Sequence, residues 1–146
     1  MSTDQPPRSP AAQGALPPEG ALAALGTARR QQEDKVVRIG GASGFWGDSS
    51  VGATQLVASG QIDYLVFDYL AELTMSILAA ARMKKPELGY ATDFVTVAMQ
   101  SVLKDVVTKG IRVISNAGGV NPEGCADVLR ALARELGVQV KIAVIT

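Results

Sequence analysis

Apolar and polar positions follow two different patterns along the chain after about residue 35. Short runs that are almost wholly apolar, at 36–40, 62–69, 111–115 and 138–146, are typical of strands buried in a sheet. Between them, apolar residues recur every three or four positions and predict helices at 50–59, 70–85, 92–110 and 121–137. This alternation predicts an α/β fold with a predominantly parallel sheet and helices on both faces, a Rossmann-like three-layer arrangement.

Two of the predicted helices carry a well-defined apolar stripe, which we expect to be buried. In the helix at 92–110 the stripe consists of Val95, Met99, Val102 and Val106. In the helix at 70–85 it consists of Leu70, Leu73, Ile77, Leu78 and Ala81.

The chain divides by composition into two parts. Residues 1–34 contain most of the prolines together with many alanine, glycine and polar residues, and this composition predicts a disordered leader. Residues 35–146 form the predicted α/β part. The apolar run at 138–146 has no closing helix behind it, so we expect an incomplete domain, the N-terminal part of a larger one; a complete small domain is the alternative.

Composition excludes several kinds of chemistry. The 146-residue chain has no histidine, which rules out a Ser-His-Asp triad and the usual zinc sites within this chain. Its single cysteine excludes an internal disulfide and favours a reducing compartment. Formal net charge is zero, and no apolar run approaches the roughly 20 residues that cross a bilayer. We therefore expect a cytoplasmic protein without a nucleic-acid or membrane partner; a mitochondrial location is the alternative, although the leader contains acidic residues.

The first candidate site is the glycine-rich stretch "RIGGASGFWGDSS" at 38–50. Gly41, Ser43 and Gly44 are predicted to bind a cofactor or ligand through the backbone, and Asp48 is a candidate catalytic residue. The spacing matches neither a Walker A loop nor G-x-G-x-x-G, so a nicotinamide-binding site is only a third possibility. A purely structural turn, with Asp48 or Ser49 capping the next helix, is the alternative.

The second candidate site is "FDYLAE", which follows the strand at 62–69. Asp68 and Glu72 are candidate catalytic residues, since both carboxylates could face one cleft as a metal or acid-base pair. The alternative is again structural. Asp68 as N-cap and Glu72 in the first turn would both stabilise the positive end of a helix.

The third candidate site is "SNAGGVNPEGCAD" at 115–127. Its predicted ligand-binding residues, which combine a Gly-Gly turn with a helix N-terminus, are Asn116, Gly118, Gly119 and Asn121. Asn121 and Pro122 are also a typical start of a helix. Cys125 lies in the first turn, where a helix dipole lowers the pKa of a thiol, but without a histidine base we expect it to pack rather than to act as a nucleophile.

In order and spacing, the stretches "RIGGASGFWGDS", "DYLVFDYLAELTMSIL" and "ISNAGGVNPEGCA" resemble the N-terminal portion of the acyclic terpene utilisation (AtuA) family, from about residue 36 to the end. Bacterial members of that family occur beside genes for the catabolism of citronellol and geraniol through acyl-CoA thioesters, and their domain is longer. The resemblance thus implies a pathway context and assigns no reaction or catalytic residue.

The resemblance, together with the three candidate loops, leads us to expect an enzyme, or enzyme subunit, in the catabolism of branched or isoprenoid acyl-CoA compounds, with a small anionic or CoA-linked ligand. The sequence identifies no cofactor and no metal. Expected partners are a second copy of the chain or a carboxylase-type protein. The alternative function is a non-catalytic scaffold, or a truncated fragment, that pairs with another α/β subunit.

Overall fold

The computed structural model describes residues 36–146, so the predicted leader at 1–34 lies outside the described part. Three strands form one parallel sheet in the order β1 (Ile39–Ser43), β2 (Tyr64–Phe67) and β3 (Arg112–Ser115). The helices are α1 (Gly52–Ser59), α2 (Glu72–Lys84), α3 (Gln100–Lys109) and α4 (Pro122–Glu135), and a π-helical turn at Phe94–Met99 leads directly into α3. The predicted α/β class and the parallel sheet are confirmed.

One face of the sheet forms the core. Leu65 and Phe67 of β2 are 0% and 2% exposed, and α1 packs against β1 and β2 on this side. The opposite face is open to solvent in the described part of the chain, where Ile39 of β1 is 66% and Ile114 of β3 is 54% exposed. Alternation along each strand therefore separates a buried face from an exposed apolar one.

The end of β1 is irregular in a way that affects its loop. Gly41 pairs with Val66 and Ser43 pairs with Phe67, so Ala42 is an extra residue in the ladder, as in a β-bulge. A side chain at Gly52 would place its Cβ 2.5 Å from the Ala42 carbonyl oxygen. The start of α1 therefore packs directly on the bulge, and this contact requires glycine.

The two predicted stripes have different outcomes. The stripe predicted for the helix at 92–110 is buried at all four positions, Val95, Met99, Val102 and Val106. The first part of that helix is a π-helical turn, in which the Gln100 N–H donates to the Val95 carbonyl, five residues back. On α2 only Leu78 is buried, whereas Leu73 is 73% and Ile77 is 49% exposed. The prediction of a buried α2 stripe is wrong because no described element covers most of that helix face.

The predicted fourth strand at 138–146 is also wrong for the described structure, which contains no ladder there. Exposure nevertheless alternates along this segment with a period of two residues, so that Val138, Val140, Ile142 and Val144 are half-buried. The segment lines a groove of about 1160 Å³ together with β3 and α4. It therefore has the side-chain pattern of a strand without the backbone hydrogen bonds that define one.

Candidate functional site

The three strands end at one edge of the sheet, and hydrogen bonds join their ends. The Asp68 N–H donates to the Ser43 carbonyl at 3.1 Å, which links the end of β2 to that of β1. The Asn116 side chain links the end of β3 to that of β2: its Oδ1 accepts from the Tyr69 N–H, and its Nδ2 donates to Asp68 Oδ1, each at 2.7 Å. We call Ser43, Asp68 and Asn116 the carboxyl-end edge, the place where parallel α/β sheets bind ligands.

Asp68 is exposed and does not cap α2. The helix begins at Glu72, its N-cap is Ala71 in an extended conformation, and no side chain caps it. Asp68 instead receives the Asn116 amide hydrogen bond. The structural alternative for Asp68, an N-cap, is therefore not what the geometry shows.

Glu72 lies in the first turn of α2 and is exposed. Among the described residues its carboxylate has no hydrogen bond to the carboxyl-end edge. Its position suits the positive end of the helix dipole. The structure therefore joins Asp68 to Asn116 and Ser43, and does not join Glu72 to them.

The loop after β1 is closed by its own side chains. Asp48 Oδ2 accepts from the Gly44 N–H at 2.8 Å, so a carboxylate of the chain occupies this backbone donor. Ser49 Oγ accepts from the N–H groups of Gly52 at 2.9 Å and Val51 at 3.3 Å, at the start of α1. The N-cap of α1 is Val51, so neither suggested residue is the N-cap, and of the two it is Ser49 that bonds to the start of the helix.

Gly41 and Ser43, predicted as ligand-binding loop residues, lie within β1 rather than in the loop. Gly41 pairs with Val66 of β2 and has open space where a Cβ would be. Ser43 is buried, and its hydroxyl donates to the Phe45 carbonyl at 2.7 Å. The strand therefore ends at Ser43, three residues later than the end that the sequence predicted.

The loop after β3 packs against the segment that follows α2. The N–H of Val120 donates to the Gly89 carbonyl at 2.9 Å, the N–H of Ala91 donates to the Ala117 carbonyl at 2.8 Å, and the Arg82 guanidinium donates to the Val120 carbonyl. This loop is therefore held firmly by contacts within the chain.

The residues of this loop that were predicted to bind a ligand are constrained by their neighbours in the chain. Gly119 has φ +54°, and its N–H donates to the Asn116 carbonyl at 3.2 Å. A Cβ at Gly118 would lie 2.9 Å from Pro122. Asn121 is the N-cap of α4, and its Nδ2 approaches the carbonyls of residues 86–88, the closest being Leu88 at 3.0 Å. The ligand-binding role of these residues stays a prediction.

Three residues that the sequence did not single out as site residues cluster beside the edge. Trp46 Nε1 donates to Asp93 Oδ1 at 2.5 Å, and the Trp46 N–H donates to the Tyr69 carbonyl at 3.2 Å. Burial, reinforced by the negative charge of Asp93, raises the pKa of Tyr69 to about 12. The Trp46 side chain lies 47 positions from its Asp93 partner, so no local motif could reveal the contact.

Cys125 is buried in the first turn of α4, with 6% of its surface exposed. Burial raises the pKa of the Cys125 thiol to about 11. Desolvation therefore outweighs the helix dipole, and the thiol is protonated at neutral pH. The expectation that Cys125 packs rather than acts as a nucleophile agrees with this environment.

No group of three or more acidic or cysteine side chains in residues 36–146 is arranged to hold a metal ion. In the same part of the chain, every helix is too short or too polar to cross a bilayer.

Comparison with known protein families identifies the family of the chain. The family model described as "acyclic terpene utilisation family protein AtuA" matches residues 37–146, which is most of the chain. Comparison with curated proteins and with solved structures gives no match. The residues that the family model matches include the whole sheet, the carboxyl-end edge and all four α-helices. The chain therefore belongs to the acyclic terpene utilisation family AtuA.

Proposed function

We propose that the chain is an enzyme, or the subunit of an enzyme, in the catabolism of branched or isoprenoid acyl-CoA compounds, with its reactive site at the carboxyl-end edge. Family membership supports a role in terpene utilisation. The observation that carries the proposal is the Asp68 carboxylate, which is exposed, free of a capping role and held by Asn116 at the end of the sheet.

Asp68 is the group that exchanges a proton with the ligand in this proposal. Its Oδ1 accepts the Asn116 amide hydrogen bond, which fixes the carboxylate and leaves Oδ2 as the second acceptor. A positioned carboxylate of this kind acts as a general base toward an acidic C–H, such as the one next to a thioester carbonyl. Asn116 is a positioning residue, because it also binds the Tyr69 N–H and so couples Asp68 to the backbone that follows β2.

Asp48, which accepts the Gly44 N–H, and Glu72, in the first turn of α2, are the further candidates for acid-base chemistry in this proposal. The ligand is a small anionic or CoA-linked compound. The Gly44 N–H already has Asp48 as its acceptor, so ligand phosphates or carboxylates would bind by displacing that contact or by using other donors.

The proposed partner is a second copy of the chain or a carboxylase-type protein. The exposed apolar side chains of Ile39 and Ile114 support an association of this kind, because burying apolar surface stabilises an interface. A cytoplasmic location is part of the proposal and is supported by the single free thiol, Cys125.

Solvent-deuterium incorporation next to the thioester carbonyl of isovaleryl-CoA, measured by mass spectrometry, tests the proposed base. We expect Asp68→Asn to slow the exchange about 100-fold or more, since general-base catalysis contributes about 10²- to 10⁴-fold. Asp127→Asn is the matched control, because Asp127 is an exposed carboxylate on α4 paired with Arg130. Unchanged exchange in Asp68→Asn, or a loss of stability without a loss of exchange, would favour a structural role and the scaffold alternative.

A further inference from the structure

A small cavity lies beside the carboxyl-end edge, between the loop after β1 and the π-helical turn. Its volume is about 140 Å³, and its walls include Ser49, Tyr69, Asp93, Val97 and Ala98. Sites that enclose a whole drug-sized ligand measure roughly 300–1,000 Å³. The cavity therefore fits one head group of a ligand. The adjacent π-helical turn, Phe94–Met99, is of a kind often found at functional sites.

The Tyr69 hydroxyl is the group in this cavity that lacks a partner. Tyr69 is 3% exposed, and its hydroxyl has no hydrogen bond to any residue in the described range. Every completely enclosed side-chain nitrogen or oxygen in that range does have a partner, so the Tyr69 oxygen is not completely enclosed, and Tyr69 is one of the residues that line the cavity. The ring is held in place by edge-to-face contacts with Phe67 at 5.8 Å and Phe94 at 6.2 Å between ring centroids. A hydroxyl of a buried residue without a protein partner points to a ligand or an ordered water.

The other polar walls of the cavity complement that hydroxyl. Because the pKa of Tyr69 is raised, its O–H remains a donor throughout the neutral range. Asp93 supplies a carboxylate acceptor, whose Oδ1 already receives the Trp46 indole N–H. Ser49 Oγ accepts two backbone N–H groups, so its own proton is available for donation. The cavity thus offers donors and one anionic acceptor.

We propose that this cavity binds a neutral hydroxyl group of a ligand, whose oxygen accepts from Tyr69 and whose proton is donated to Asp93. A hydroxyl both accepts and donates, which matches the two groups. An anionic group would meet the Asp93 carboxylate and is disfavoured. Val97 and Ala98 provide an apolar wall for the carbon attached to the hydroxyl. The inference rests on this cavity alone and does not require acyl-CoA binding.

Trp46 is the single tryptophan of the chain and donates directly to Asp93, so its fluorescence reports on the cavity. The probe is 1-butanol. Diethyl ether, its isomer, accepts a hydrogen bond but cannot donate one, and butanoate carries a negative charge. We expect a saturable fluorescence change with 1-butanol, and weaker or absent changes with the other two compounds, at concentrations that leave the chain folded.

Tyr69→Phe removes only the hydroxyl and is expected to weaken 1-butanol binding about two- to tenfold, the effect of one hydrogen bond. Tyr90→Phe is the matched control, because Tyr90 is also buried but does not line the cavity. Asp93→Asn, which removes the charge at constant size, should remove the discrimination against butanoate. Equal responses to 1-butanol and diethyl ether, unchanged affinity in Tyr69→Phe, or no saturable response would each overturn the proposal. The deuterium-exchange experiment tests Asp68, which does not line this cavity. A negative result there would therefore leave the 1-butanol experiment as a separate test.

Discussion

Replacement of Gly119 by alanine tests whether the loop after β3 has the packed conformation that the structure shows. Gly119 has φ +54°, a region that costs a non-glycine residue about 1–2 kcal/mol. A Cβ there would lie 2.5 Å from Leu78 Cδ1 and 2.6 Å from the Gly89 carbonyl oxygen. Leu78 can move, but the backbone of Gly89 cannot move freely, and overpacking of this kind costs about 1–3 kcal/mol.

Alanine also restricts the unfolded chain, which offsets about 0.4–1 kcal/mol of these costs. We therefore expect Gly119→Ala to lower the free energy of unfolding by about 1–5 kcal/mol. Urea denaturation followed by circular dichroism measures this change. Gly41→Ala is the control, because a Cβ added at Gly41 would have no neighbouring atom within 4 Å and the residue lacks a positive φ. Equal urea midpoints for the two variants would refute the packed conformation of the loop.

Three further predictions concern side chains that hold the edge and the core. Asn116→Ala should lower the free energy of unfolding by about 0.5–1.5 kcal/mol, measured by urea denaturation, because the Tyr69 N–H loses its acceptor. Asn116→Asp keeps that acceptor but places a second carboxylate against Asp68 Oδ1, so it should lose at least as much. Asn121→Asp should retain the cap on Gly124 yet cost about 1–3 kcal/mol in the same assay, because a carboxylate replaces the amide donor facing the Leu88 carbonyl. Stability should fall as pH rises from about 9 to 12, because folding raises the pKa values of Cys125 and Tyr69 and the unfolded chain therefore releases these protons first. Thermal unfolding across this pH range should show a smaller loss of stability in Tyr69→Phe than in the unmodified chain.

The sequence predicted those features of the fold that depend on local pattern. The stripe from Val95 to Val106 and the three strands follow from spacing and β-branched residues, because these decide which side of an element is apolar. Placement of Asp68 and Asn116 at one edge follows from parallel strand direction alone. Their hydrogen bond joins residues 48 positions apart and needed the structure.

The predictions that failed concern features that depend on a partner elsewhere in the chain rather than on local pattern. Residues 138–146 have the apolar alternation of a strand, but a strand exists only where another one pairs with it, which a single segment cannot specify. Leu73 and Ile77 of α2 form a helical stripe with no described partner. The cavity beside Tyr69 was missed for a related reason, since Trp46 and Asp93 are brought together only by the packing of the loop after β1 against the residues that precede the π-helical turn.

The most direct test of the carboxyl-end edge as a ligand site is an amide NMR titration of the full chain with isovaleryl-CoA. We expect saturable chemical-shift changes at the amides of Ser43, Gly44, Asp68 and Asn116, with affinity reduced in Asp68→Asn. Changes confined to the exposed face around Ile39 and Ile114, or no saturable change, would contradict it.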